Sequence, residues 1–370
     1  MAEARWFRRA GPGVAALGAV LLVASTTTGA HAPRRQPALC DGPARTGHGP
    51  IGAWYRLDPT LVDGARTGQR LSIGIAGTSS VRGLDLDAES FAAGPFSGTV
   101  LLGTDDGTAS RLSLVDVAAG CAWPIDRSAE VIRRATIAPD GGTLVEFRVD
   151  RRSRADLGVW RRRLAGPGPE VRLLPPIDPD IRFGPTWLTE LSWGDDGSLL
   201  AVQSCGEVAC RVRWVDVASG ATGIVADPSL GDMVGLTRRV LVAHGSCRGL
   251  PCPIRSVDLQ TGSTNTLVEA AGQATAVREG DGTRVVYEID ADGAAVASIG
   301  LDGGDVRRLP IDGSDGRLIA RSAWAEGAAE LPPGWVALGP DGRLPLSGQT
   351  GIVLRRISDG RQAAFDQVSR

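Results

Sequence analysis

The composition of this 370-residue chain excludes several classes of protein. The formal net charge is −2, so nothing in the charge balance points to a nucleic acid or an anionic membrane as partner. Glycine accounts for 50 residues, and no long stretch carries the periodicity of an amphipathic helix. We therefore expect an all-β fold of short strands and tight turns.

The first 32 residues are organised like a secretory signal peptide. Basic residues precede an apolar run at 13–25, and the small-residue site Ala30-His31-Ala32 follows. The apolar run is shorter than the roughly 20 residues that span a bilayer, so we expect cleavage; retention as an anchor is the alternative. The mature protein is then secreted or periplasmic, or held in the cell envelope, without membrane insertion.

Three segments repeat a strand that ends in an acidic turn. They read RLSLVDVAAG at 111–120, RVRWVDVASG at 211–220 and PIRSVDLQTG at 253–262. Alternate positions are matched between the copies, as the two-residue period of a strand requires. In each copy an Asp precedes a Gly by four residues. The Asp side chain can close an Asx-type turn, and the glycine can take the positive φ that other residues avoid.

A second motif adds another turn to the same unit. It reads IAPDGGTLVEF at 137–147 and LSWGDDGSLLAV at 191–202, two apolar stretches joined by an acidic-glycine turn. The aligned Asp216 and Asp258 are 42 residues apart, and Asp302 follows 44 residues later. A period of about 40–50 residues that carries four short strands is the signature of β-propeller blades.

The repeat therefore predicts a single β-propeller. We expect six four-stranded blades, or seven if the segment around Trp54 contributes strands of its own. The segment 318–342 can be divided into strands in two ways, which leaves the phasing of the last blades open. After the signal peptide at 1–32, residues 33–69 form a leader that is tied to the first blade, and residues 70–370 form the propeller.

The two motifs together resemble the propeller repeats of TolB-like proteins, which are related to the WD-type repeat. The resemblance covers about residues 130–300, and the Pro-Asp-Gly turns at 139–141 and 340–342 keep the proline that is common in that family. TolB itself has a small α/β domain before its propeller, whereas the leader at 33–69 is too short for one. The resemblance implies a fold and a function through binding, and it does not specify the partner.

All six cysteines follow the signal peptide, and an even number in an exported chain predicts disulfides. Cys205 with Cys210 and Cys247 with Cys252 form two C-x4-C pairs between the second and third strands of consecutive blades. Opposed positions across a hairpin lie within disulfide distance. The alternative is a four-cysteine zinc site, but the outer loops of diverging blades should be too far apart for one tetrahedral ion.

The two remaining cysteines, Cys40 and Cys121, would by elimination join the leader to the first blade. Loop-entropy scaling gives such a bridge about 4.5 kcal/mol and each C-x4-C bridge roughly 2 kcal/mol. If the fold depends on any one disulfide, we expect it to be Cys40–Cys121.

The chain carries no recognisable catalytic motif: a nucleophile elbow, a zinc-protease helix motif and a phosphate loop are all missing. His48 and His244 are the histidines beyond the signal peptide, and neither has a visible catalytic partner. The Asp-rich segments at 85–87, 105–107 and 290–293 lack the spaced carboxylates of a calcium loop, so ordinary turns explain them. We expect no catalytic residue, no bound metal and no cofactor.

One basic cluster is the candidate ligand-binding site. Arg148, Arg151, Arg152 and Arg154 lie in a connection between the second and third strands of a blade, and guanidinium groups bind carboxylates or phosphates through two parallel hydrogen bonds. The alternative is a solvated loop in a chain without lysine. These connections share one face of a propeller with the blade-to-blade crossings, and we take this face as the contact surface.

These features predict a disulfide-braced, monomeric scaffold that binds another envelope or extracellular protein. Two other functions stay open. One is a hydrolase or lactonase with acidic residues at the mouth of the central channel. The other is a sensor that binds a small molecule in a pocket on the axis.

Overall fold

The computed structural model describes residues between 38 and 363. The described residues are 38–41, 53–62, 65–75, 81–84, 90–93, 99–116, 119–138, 141–164, 168–176, 188–194, 197–205, 210–225, 227, 229–237, 239–247, 249–289, 295–310, 316–319, 327–329, 334–339 and 353–363. The expected signal peptide at 1–32, His48 and the Asp-rich segments at 85–87 and 290–293 lie outside them.

The described residues form 29 strands and contain no helix long and apolar enough to cross a membrane. The first fifteen are β1 (Ala38–Leu39), β2 (Ala53–Val62), β3 (Ala65–Ile75), β4 (Val81–Leu84), β5 (Ser90–Ala93), β6 (Thr99–Asp105), β7 (Ser110–Asp116), β8 (Cys121–Ser128), β9 (Val131–Ile137), β10 (Thr143–Val149), β11 (Asp156–Arg163), β12 (Val171–Leu174), β13 (Leu188–Trp193), β14 (Leu199–Cys205) and β15 (Cys210–Asp216). The others are β16 (Thr222–Val225), β17 (Leu230–Leu236), β18 (Val240–Gly245), β19 (Cys252–Asp258), β20 (Thr264–Ala271), β21 (Ala274–Glu279), β22 (Gly282–Glu288), β23 (Val296–Gly300), β24 (Arg307–Arg308), β25 (Arg317–Leu318), β26 (Gly327–Ala329), β27 (Trp335–Gly339), β28 (Val353–Arg356) and β29 (Gln362–Ala363).

These strands form seven sheets, which we number in chain order. By hydrogen bonding, the sheets are β26-β2-β3-β4, β5-β6-β7-β8-β1, β9-β10-β11-β12, β13-β14-β15-β16, β17-β18-β19-β20, β21-β22-β23-β24 and β25-β27-β28-β29. Neighbouring strands within each four-stranded unit are antiparallel, whereas β1 pairs in parallel with β8. The chain is therefore an all-β protein built from repeated four-stranded antiparallel sheets, as its sequence predicts.

The turns lie where the repeat predicts them. Between the third and fourth strands of the fourth sheet, Asp216 Oδ1 accepts the backbone N–H groups of Ala218 and Ser219 at 3.0 and 2.8 Å. Gly220 then takes a φ of 74°, which side-chain-bearing residues rarely adopt. The turns at 116–120 and 258–262 repeat this arrangement in the second and fifth sheets.

Apolar side chains fill the seams between successive sheets. Val285 packs against the fifth sheet and its neighbour Val286 against the seventh, and each is 0% exposed. Similar clusters lie between the second and third, the third and fourth, and the fourth and fifth sheets. The second strands therefore bury both faces, which explains why they read as continuous apolar runs rather than as an alternating pattern.

The first strands of adjacent sheets contact one another, as strands around a central axis must. Contacts join β5 to β9, β9 to β13 and β17 to β21. At the last of these, a Cβ on Gly235 would overlap the Cβ of Ala276, so glycine permits the close approach of the two strands. The packing of the sheets is that of a β-propeller.

The segment around Trp54 contributes β2 to the first sheet, and β26 pairs with it, with Tyr55 opposite Ala328. The ambiguous segment 318–342 is thereby divided between two sheets, because β25 and β27 belong to the seventh. Strand β3 spans the boundary that we place after residue 69. The number of blades stays a prediction, because the sheets are described for only part of the chain.

All six cysteines are paired in disulfides, in the combinations that the sequence predicts. Cys205 with Cys210 and Cys247 with Cys252 each close a connection between second and third strands, with Cα–Cα distances of 4.0 and 6.0 Å. The third bridge links Cys40 to Cys121 across 81 residues, with a Cα–Cα distance of 5.0 Å. It fixes β1 against the outer edge of the second sheet, where the Cys40 N–H donates to the carbonyl of Ala122 at 3.1 Å.

Candidate functional site

The candidate site lies on the face formed by the connections between second and third strands. Because successive sheets repeat one strand order, the ends of their second strands come to the same face. This face carries the predicted arginine cluster in the third sheet, the Cys205–Cys210 connection in the fourth and the Cys247–Cys252 connection in the fifth. We call it the connection face.

The arginine cluster is built on a tight hairpin between β10 and β11, which we define as residues 150–155 and call the arginine hairpin. The carboxylate of Asp150 accepts the N–H groups of Arg152 and Ser153 at 3.0 and 2.6 Å. The Asp150 N–H donates to the carbonyl of Ala155, and Arg154 adopts a φ of 61°. Local hydrogen bonds therefore fix the backbone on which Arg152 and Arg154 stand, and both side chains are exposed.

Arg148 does not face solvent; it is 6% exposed and lies among carboxylates. Its guanidinium donates to Glu146 at 2.7 Å and to both carboxylate oxygens of Glu170 at 3.0 and 2.7 Å. The ring of Trp160 lies 5.6 Å from the guanidinium carbon. The guanidinium nitrogens of Arg148 that would bind a carboxylate or phosphate ligand already donate to these partners.

Arg151 anchors the hairpin to the neighbouring sheet. Two of its nitrogens donate to the carboxylate oxygens of Asp105 at 2.7 and 2.8 Å, and a third donates to the carbonyl of Ala129 at 2.9 Å. The hydrogen bond from Arg151 is the largest of the effects that lower the pKa of Asp105 to about 2. The four arginines therefore divide into two internal anchors, Arg148 and Arg151, and two exposed groups, Arg152 and Arg154.

The Asp105-Asp106-Gly107 segment forms a turn in which the carboxylates accept hydrogen bonds from the backbone. An ordinary turn is what the sequence predicts here, in place of a calcium site. Asp106 Oδ1 accepts the backbone N–H of Thr108 and of Ala109 at 2.9 and 2.8 Å and the hydroxyl of Thr108 at 2.6 Å. The Thr108 hydroxyl is the main reason that the pKa of Asp106 is lowered. Both carboxylates of the segment are thus engaged by the protein itself.

His244 lies on β18, next to the disulfide-bonded connections. It is 7% exposed, and burial lowers its pKa, so the imidazole is neutral at pH 7. Asp232 lies nearby, with its Oδ1 4.0 Å from the sulfur of Cys210. That sulfur is bonded to Cys205, so this group of Cys, Cys and Asp is a disulfide beside a carboxylate.

Sequence reasoning missed the buried acidic side chains that hold the sheets together. Glu288 is 0% exposed and accepts the N–H groups of Gln273 at 3.1 Å and Leu318 at 3.0 Å. Arg317 of the seventh sheet donates to the same carboxylate at 2.9 Å. Glu146, 1% exposed, lies in the second strand of the third sheet. The signal for both is a glutamate directly beside apolar residues of a second strand, as in TLVEFRV and GTRVVYE.

No protein-family model and no curated protein matches the chain. Among solved structures, TolB from Acinetobacter baumannii is similar with a TM-score of 0.44 and 15% identity, over 69% of this chain and 65% of that one. A prolyl endopeptidase is similar with a TM-score of 0.54 and 16% identity, over 85% of this chain and 48% of that one. Oligopeptidase B from Trypanosoma brucei is similar with a TM-score of 0.50 and 14% identity, over 84% of this chain and 48% of that one.

The chain thus spans about half the length of each peptidase and less than two thirds of that TolB. At such low identities the likeness concerns the fold alone. From its sheets and their packing, the chain is a β-propeller, as its repeats predict.

Proposed function

We propose that this protein is an exported, non-catalytic scaffold whose connection face binds an acidic surface of another envelope or extracellular protein. The proposal rests on the arginine hairpin. There, two exposed guanidinium groups extend from a backbone that local hydrogen bonds to Asp150 and Ala155 hold in place. Arginine is enriched in protein interfaces, and its planar fork matches carboxylates.

Rigidity of the face supports this function. Two disulfides close neighbouring connections, and the Arg151–Asp105 pair joins the arginine hairpin to the second sheet. Since these groups are ordered before a partner arrives, association loses less conformational entropy than it would with mobile loops. Three disulfides also favour an oxidising compartment, which supports export to the envelope or the outside of the cell.

The test is capture of partners from the envelope fraction of the source cells by the mature protein. We expect the double substitution Arg152→Glu and Arg154→Glu to abolish capture, because it reverses the exposed charge without touching the anchors. Arg163→Glu is the matched control: this exposed arginine ends β11 at the opposite face. Equal capture by all three proteins would refute the connection face as the binding surface.

A further inference from the structure

A group of charged side chains lies in the seam between the second and third sheets, beneath the arginine hairpin. Arg148 donates to Glu146, which is 1% exposed, and to Glu170, and lies 3.5 Å from Glu130 and 4.0 Å from Asp126. From β11, Arg162 forms an ion pair with Asp126 at 3.1 Å and donates to the carbonyl of Ile125 at 2.7 Å. We call this group the seam cluster.

Carboxylates outnumber cations in the seam cluster. Its four acids are Glu146, Asp126, Glu130 and Glu170, and its two cations are Arg148 and Arg162. The backbone partners of Glu146 on the two neighbouring strands are Ala135 on β9 and Trp160 on β11, which carry no charge. The two arginines therefore cannot neutralise all four acids.

Glu146 is the acid least able to remain ionised. Its Oε2 receives a hydrogen bond from Arg148, whereas its Oε1 is buried and no described group donates to it. A buried acceptor without a donor costs about 1–3 kcal/mol, and more when it is charged. A proton on Glu146 lowers that cost, because the protonated carboxyl can donate a hydrogen bond to the nearby carboxylate of Asp126.

We infer that Glu146 takes up a proton around neutral pH in the folded protein, shares it with Asp126, and in this protonated form stabilises the seam between the second and third sheets. Burial raises the pKa of Glu146 to about 7; Arg148 opposes this shift, and the nearby Asp126 adds to it. This inference concerns the stability of the seam and is independent of what the connection face binds.

The sign of the pH effect follows from the raised pKa. A glutamate ordinarily has a pKa near 4.5, so the folded protein binds this proton more tightly than the unfolded chain. The resulting stabilisation is complete below about pH 4.5 and is lost as the pH rises through about 7. Above that pH the ionised Glu146 repels the nearby Asp126, and this repulsion opposes the packing of the second sheet against the third.

The experiment compares Glu146→Gln with wild type in denaturant unfolding between pH 5 and pH 8. The amide mimics the protonated acid, so the variant gains in unfolding midpoint relative to wild type as the pH rises. Glu269→Gln, at an exposed site on β20, is the control and should keep the wild-type pH dependence. The titration of His244 contributes equally to the pH dependence of all three proteins, so it does not affect the differences between them. A constant difference between Glu146→Gln and wild type would overturn the inference.

A direct titration covers the case in which Glu146→Gln does not fold. In wild-type protein labelled at its Glu and Asp carboxyl carbons, we expect one NMR resonance to titrate near pH 7. Asp126→Asn should lower that midpoint, because it removes the like charge and supplies a donor. If every carboxyl of the wild-type protein titrates below pH 5, Glu146 holds no proton at neutral pH and the inference is wrong.

Discussion

Four arginines lie within a segment of seven residues, and they differ in how deeply they are buried. Burial determines whether each one stabilises the fold or is available to a partner. Arg148 and Arg152 have the same chemistry and lie on the same hairpin. The first is enclosed by acids from three other segments of the chain, whereas the second is exposed. A guanidinium whose hydrogen bonds are already made contributes stability, and an exposed one is available to a partner.

This division predicts different outcomes for alanine at the two positions. Arg148→Ala leaves the buried Glu146 without the cation that donates to it and removes the partner of Glu170, so we expect a loss of about 3–5 kcal/mol in the free energy of unfolding. Arg152→Ala removes an exposed side chain and should change it by less than about 0.5 kcal/mol. Equilibrium denaturation at pH 7 measures both. Equally small losses would contradict the assignment of Arg148 as an anchor.

Residues that act through local geometry were predictable, and residues that act through distant neighbours were not. Asp216 and Gly220 make a turn from adjacent residues, so their spacing identified it. The environment of Glu146 is set by burial in the seam, by Arg148 and by Asp126, which belongs to another sheet. A single sequence does not show which strands face each other across a seam. For this reason it does not show that Arg148 and Arg151 pair with acids of the protein itself, whereas Arg152 and Arg154 are exposed.

At the scale of elements, the hairpins of the repeat were predictable and the exchange of strands between sheets was not. The C-x4-C connections lie between second and third strands as expected. Both cysteines of each bridge belong to one six-residue segment, so the pairing can be recognised from local sequence. Strand β26 lies between β25 and β27 along the chain but pairs with β2 of the first sheet, more than 270 residues earlier. Such pairing depends on closure of the whole array, which the sequence motif of a single blade does not encode.

The disulfides differ in what they contribute to stability. In the loop-entropy model, removal of the bridge across 81 residues costs about 4.5 kcal/mol, and removal of a bridge across 5 residues costs about 2 kcal/mol. Denaturation of Cys40→Ser/Cys121→Ser and of Cys205→Ser/Cys210→Ser therefore should show the larger loss for the first pair. Strand β1 otherwise makes only a short pairing with β8. The reverse order would show that native contacts, rather than loop closure, set the effect.

At the scale of the whole molecule, stability comes from seams that repeat around an axis. Each described seam between successive sheets from the second to the seventh holds its own apolar cluster, so sheets stabilise their neighbours rather than a single central core. A closed ring also leaves no sheet without neighbours on both faces. The connection face depends on this arrangement, because a ring of like sheets brings the second-to-third-strand connections together.

Closure of the ring is tested most directly by a cross-link between its two ends. Tyr55 and Ala328 are opposed on β2 and β26, and opposed Cβ atoms in an antiparallel pair lie within disulfide reach. We expect Tyr55→Cys/Ala328→Cys to form this bond on oxidation, as seen by peptide mass spectrometry. Tyr55→Cys paired with Ile224→Cys, in the outer strand of the fourth sheet, should not. A folded protein without the 55–328 bond would contradict the closed propeller.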